Sequence, residues 1–222
     1  MIQHSFIRVP DAALADAVAI IARIGAGKSY TARGLVERLL ASGARSCILD
    51  PTGVWWGLRL KPDGKTPSGL PIVILGGDYG DLPITPEAGR MCARLVIEHR
   101  TSFVVDMSLF GVGERDRFCA AFFDTLYQEK PRGPLHLIAD EADAYAPQKP
   151  MKEQRVMASR FEQIVRRGRV RGFRVMMITQ RTAVINKDVL NMAGTMVVLN
   201  LMGPQDRAAF EYWIEFNASA ER

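Results

Sequence analysis

The chain has 222 residues, 48% hydrophobic and 24% charged, which suits one ordinary α/β globule with a continuous core. Its apolar runs fall far short of the roughly 20 residues a membrane span needs, and Met1-Ile2-Gln3-His4-Ser5 lacks the cationic-then-apolar pattern of a signal peptide. A net charge of +5 permits a polyanionic partner without requiring one, and Cys47, Cys92 and Cys119 are too isolated to bind metal and suit a reduced, cytoplasmic core.

In chain order, the first predicted strand covers 17–22. It runs into Ala22-Arg23-Ile24-Gly25-Ala26-Gly27-Lys28-Ser29, and a helix over 28–41 follows, with Leu35, Val36, Leu39 and Leu40 on one face. Strand, Gly-rich loop and helix are the setting in which backbone N–H groups and a helix N-terminus cradle phosphates. Ile24, Gly25, Ala26, Gly27, Lys28, Ser29 and Tyr30 are the candidate nucleotide-binding residues. Lys28 is placed to reach the β- and γ-phosphates, and the Ser29 hydroxyl to ligate Mg²⁺. Ala22 stands where this pattern usually has its first glycine; alanine costs little in extended backbone and is strained at positive φ.

Further strands are predicted at 46–49, 72–75, 103–105, 135–139, 174–179 and 196–199, most of them continuous apolar runs of the kind buried on both faces. Helices are predicted over 86–99, 114–129, 155–168 and 205–214. Thr85-Pro86-Glu87 supplies a cap, a first-turn proline and an acid for the second of the five helices. Residues 57–71 and 144–153 are expected as long polar loops. The alternation argues for a mostly parallel sheet with helices on both faces, in a single domain covering 1–222.

Three strand ends carry chemistry. Leu135-His136-Leu137-Ile138-Ala139 delivers Asp140 and Glu141 to the sheet edge where α/β ligands bind. Asp140 suits Mg²⁺ and Glu141 suits the base that polarises an attacking water, unless the two acids only cap the turn that follows. Gln180, after the next strand, suits a γ-phosphate sensor or a plain loop residue. Asp50, in Leu49-Asp50-Pro51-Thr52-Gly53, is a third carboxylate at that edge, or a turn-forming Asp-Pro pair. Between the acidic strand and Gln180 lie Arg155, Arg160, Arg166, Arg167, Arg169, Arg171 and Arg174, which places an arginine-rich helix beside the nucleotide. Arg166 or Arg169 suits an arginine finger supplied to a neighbouring subunit, and the rest suit DNA, an interface or plain solvation.

With these residues in order, the sequence resembles the central ATPase domain of HerA/FtsK-type DNA motors, nearer to HerA, from about residue 5 to residue 213. The resemblance rests on Gly25-Ala26-Gly27-Lys28-Ser29-Tyr30-Thr31, Leu49-Asp50-Pro51-Thr52-Gly53 with Trp55-Trp56, Asp140-Glu141-Ala142 with Ala146-Pro147, Val165-Arg166-Arg167-Gly168-Arg169 with Gly172, and Ile178-Thr179-Gln180-Arg181. It implies a RecA-like P-loop NTPase fold, ATP and Mg²⁺ as cofactors, Glu141 as catalytic base, Lys28, Asp50 and Gln180 as further site residues, and Arg166 or Arg169 as a trans finger. It also implies a homo-oligomer, a hexameric ring in most members, that moves or unwinds duplex DNA, in HerA together with a nuclease. The N-terminal β-barrel and C-terminal brace of full HerA proteins have no counterpart in these residues. A regulatory ATPase that controls a partner protein is the alternative. A small-molecule kinase is disfavoured, because Asp140-Glu141 suits hydrolysis better than transfer to a metabolite.

Overall fold

The computed structural model of the protein describes residues 9–23, 25–200 and 204–218. Within them, seven strands form one all-parallel sheet in the order β3-β4-β2-β5-β6-β1-β7. The strands are β1 (Val18–Ala22), β2 (Ser46–Asp50), β3 (Ile72–Gly76), β4 (Ser102–Asp106), β5 (Leu135–Ala139), β6 (Phe173–Thr179) and β7 (Thr195–Leu199). All seven predicted strands form, and β6 starts a residue earlier because Phe173 is buried at its foot.

The period of two in these strands sends alternate residues to opposite faces. Val18, Ile20, Ile48, Val104, Ile138 and Ile178 pack with Leu35, Val36, Leu39 and Leu40 of α1 (Lys28–Ala41). Ala19, Ile21, Cys47, Leu49, Val105, Leu137 and Met177 pack on the other face. There α2 (Gly89–Glu98), α3 (Val112–Glu129), α4 (Arg155–Arg171) and the short α5 (Lys187–Asn191) cover them. Phe118, Phe122, Phe123, Tyr145 and Phe161 form a chain of ring contacts between α3, α4 and the loop after β5. The three cysteines are free and buried in this second core. The last helix, α6 (Pro204–Ala218), follows β7.

The elements depart from expectation mainly at their ends. The helix predicted from 86 begins at Gly89, because Thr85-Pro86-Glu87 closes a turn in which Ala88 N–H donates to Thr85 O at 3.0 Å. Gly89 lies so close to Phe118 that a Cβ there would stand 2.2 Å from its carbonyl oxygen, so α2 and α3 meet where no side chain intervenes. 3-10 turns at Trp55–Arg59 and Lys152–Gln154 overlap the ends of the predicted polar loops, and α5 is not among the predicted helices. The helix predicted from 114 starts two residues earlier, with the Glu114 carboxylate accepting from Gly111 N–H at 2.7 Å.

Candidate functional site

A parallel sheet presents every strand's C-terminal end at one edge, and the chemistry collects there. Ala22 closes β1 in extended pairing with Leu199, so its methyl group is accommodated without strain. Gly25 and Gly27 hold φ of 79° and 87°, the left-handed region that glycine enters at little cost. Gly27 caps α1, leaving the first N–H groups of the helix without intrahelical acceptors. Ser29 and Tyr30 are exposed beside them, and Ile24 lies outside the described residues.

Lys28 is only 9% exposed although charged, and the partner that holds it is distant in sequence. Its Nζ donates to Glu141 Oε1 at 2.5 Å and lies 3.9 Å from Asp140 Oδ1. The topology explains the meeting: β6 lies between β1 and β5, so the lysine reaches over the tip of β6. That tip is Gln180, whose side-chain amide donates to the same Glu141 oxygen at 3.2 Å. Glu141 adopts φ 47° and ψ 54°, an uncommon backbone for a non-glycine residue. Its carboxylate makes no capping bond to the turn that follows; it faces the phosphate loop.

Asp140 is buried, and burial pushes its carboxyl above the usual range. The Trp55 indole N–H, which donates to Oδ2 at 2.9 Å, and the Lys28 charge act against that shift. Asp50 reaches the same edge but looks back into its own loop. Its Oδ1 accepts from Thr52 N–H, the Thr52 hydroxyl and Gly53 N–H at 2.8–3.0 Å, and its Oδ2 from Trp55 N–H at 2.8 Å. Burial raises the Asp50 carboxyl too, with the Trp55 and Thr52 backbone donors opposing. The turn-forming reading of Asp50-Pro51 therefore describes its contacts.

Among the described residues no cluster of three or more His, Cys, Asp or Glu could hold a metal alone. Asp140 and the Ser29 hydroxyl nevertheless fit Mg²⁺, which prefers one or two protein oxygens plus substrate phosphates and water. Beyond Glu141 a cleft of about 580 Å³ opens, lined by Thr52, Arg115, Glu141, Asp143, Gln180 and Arg181 among others. Arg181 stands 3.6 Å from Asp143, which also accepts from the Thr179 hydroxyl at 2.8 Å. Arg115 and Arg181 had no assigned role in the sequence. Arg181 follows Gln180 directly, whereas nothing local marks Arg115.

The arginine-rich helix is not beside this chain's own nucleotide site along its length, and the expectation is corrected. Helix α4 links two parallel strands, so it must run back against them. Its start lies near the cleft, where Gln154 donates to Asp116 at 2.9 Å. Its end lies at the opposite sheet edge, where Arg169 is 3.9 Å from Asp16, just before β1. Arg166, exposed on the same turn, pairs with Glu162 at 2.7 Å. The structure thus brings Lys28, Asp140, Glu141 and Gln180 together and leaves Arg166 and Arg169 apart from them.

Residues 6–64 match the family model of the helicase HerA central domain, about a quarter of the chain. Among curated protein sequences none matches. Among solved structures, the genome packaging NTPase B204 from Sulfolobus turreted icosahedral virus 2, in complex with ATP-gammaS, is similar with TM-score 0.56 and 16% identity, covering 94% of this chain and 86% of that one. B204 from Sulfolobus turreted icosahedral virus, the DNA-packaging ATPase of that virus, is similar with TM-score 0.55 and 18% identity, covering 93% of this chain and 86% of that one. These likenesses show the P-loop NTPase fold over nearly the whole chain.

Proposed function

We propose that this chain is a HerA/FtsK-type P-loop ATPase domain, that it binds ATP with Mg²⁺ and hydrolyses it, and that it uses the cycle to move duplex DNA as a homo-oligomer. One observation carries the reading: Lys28 and Glu141, 113 residues apart, meet over the tip of β6 with Gln180 on the same oxygen. A triphosphate seated in the phosphate loop attracts Lys28, and every step that draws the amine toward phosphate frees Glu141 to accept a proton from water. Gln180, hydrogen-bonded to that carboxylate, is placed to feel the change. Asp140 and Ser29 are the residues that would hold Mg²⁺, which would supply charge neutralisation to the bound phosphates.

Arg169 is the better trans finger of the two arginines. Its side chain is 75% exposed and, among the described residues, has a long contact to Asp16, whereas Arg166 is engaged by Glu162 one turn away. The three buried free cysteines suit a reduced, cytoplasmic setting. No helix among the described residues is long and apolar enough to cross a membrane.

The test is ATP turnover measured against protein concentration, with and without duplex DNA. The reading expects superlinear concentration dependence, from shared sites, and stimulation by DNA that fades steeply with salt. Turnover that ignores DNA but responds to a partner protein would transfer the site to a regulatory ATPase.

A further inference from the structure

Trp55 touches both buried acids at the sheet edge, and the proposed chemistry does not use it. Its backbone N–H donates to Asp50 Oδ2 at 2.8 Å, and its indole N–H donates to Asp140 Oδ2 at 2.9 Å. Asp50 and Asp140 end or follow β2 and β5, which are neighbours in the sheet, so one residue ties the two strand tips together. We infer that Trp55 is a positioning residue that fixes the Asp140 carboxylate for the metal ion accompanying the nucleotide. This inference rests on the ATP reading above.

The geometry distinguishes the two oxygens of Asp140. Oδ2 is taken by the indole; Oδ1 accepts from Glu141 N–H at 3.0 Å and lies 3.9 Å from Lys28 Nζ. A carboxylate otherwise turns about its Cβ–Cγ bond. A directional donor on one oxygen decides which oxygen faces the phosphate loop. Indole suits this task because it donates and cannot accept, so it never competes for the cation. Partners of this kind, one step out from the metal, commonly set its affinity.

The footing of Trp55 is firm. It is 5% exposed and opens the 3-10 turn Trp55–Arg59, which buries Leu58 in the core under α1. Arg33 of α1 donates to Gly57 O, binding that turn to the helix that begins at Lys28. The same turn therefore contacts the nucleotide-binding helix and the metal-binding acid. On its outer side Trp56 stacks on exposed Tyr79 with ring centroids 4.1 Å apart.

A buried indole also seeks any acceptor for purely structural reasons, and the experiment separates the two roles. Trp55→Phe keeps a buried ring and removes the N–H. Binding of ATPγS to the full chain is measured by calorimetry across a Mg²⁺ series and in EDTA, for wild type and Trp55→Phe. The half-saturating Mg²⁺ concentration is expected to rise about 10-fold or more in the variant, with ATPγS affinity in EDTA unchanged. Equal Mg²⁺ dependence in both proteins, or an equal loss with and without Mg²⁺, overturns the inference. Wild type that binds no ATPγS at any Mg²⁺ concentration overturns the ATP reading and this one with it.

Should Trp55→Phe fail to fold, the double variant Trp56→Phe/Trp213→Phe leaves Trp55 as the one indole of the three in the chain. Its emission is expected to change when Mg²⁺ joins bound ATPγS and to stay constant when ATPγS binds in EDTA. Constant emission under both conditions overturns the inference.

Discussion

The two edges of the sheet carry charge in opposite ways. At the C-terminal edge Lys28, Asp50 and Asp140 are buried, and each meets named partners of matching geometry. At the N-terminal edge arginines dominate, and their partners are chiefly carbonyl oxygens. Arg45 donates to Val96 O and Ile97 O at the end of α2, and Arg174 to Phe173 O and Arg169 O. His136, half-buried beside Arg174, is pushed down to about 4 by burial and then by that charge, so it is neutral near pH 7. Fully buried charge is expensive and persists where geometry holds it, whereas half-buried cations at helix ends are favoured by the macrodipole. The proposed chemistry thus sits at the edge where the charges are buried and held.

The largest effect expected is at the exposed end of α4. If Arg169 reaches a neighbour's nucleotide, Arg169→Ala lowers turnover by about 10³-fold or more, and mixing with Lys28→Ala subunits restores activity above either variant alone. Absence of rescue at every mixing ratio would leave Arg169 as a surface partner of Asp16 instead. Lys28→Ala comes next: losing a buried charge-assisted contact weakens ATPγS binding by about 100-fold, read by calorimetry.

Asp50→Ala sharpens the contrast within the C-terminal edge. It strips one acceptor from four donors of the loop 52–55. Stability is expected to fall by about 3 kcal/mol, with Tm dropping on the order of 6–12 °C. An unchanged Tm with abolished turnover would make Asp50 a catalytic acid. Smallest is Arg45→Ala, which frees two carbonyls at the end of α2 and costs about 1 kcal/mol, a Tm shift of about 2–4 °C, with no change in nucleotide binding.

Much of this architecture is legible in the residues because the strands are short, apolar and buried on both faces, with helices of clear period between them. The phosphate loop and Asp140-Glu141 are legible because their backbone demands are local: two glycines at positive φ, and acids at a strand's end. What escapes is set by topology. That α4 ends at the far edge depends on α4 returning antiparallel to β5 and β6, which no residue of the arginine cluster encodes. Trp55 was visible beside Trp56, yet its bond to Asp140 spans 85 residues and needs β2 and β5 to be neighbours. Asp50 reads in the sequence equally as turn and as site, because both place a carboxylate at the same strand end; the turn that engages its two oxygens with four donors is visible only in three dimensions.

The central claim is that Lys28 and Glu141 serve one nucleotide. Glu141→Gln tests it most directly, by ATPγS affinity and single-turnover hydrolysis on the same preparation. Removing the carboxylate releases Lys28 and removes the base, so binding is expected to be retained or tightened while hydrolysis slows by about 10²–10⁴-fold. Hydrolysis at the wild-type rate in Glu141→Gln would contradict the account.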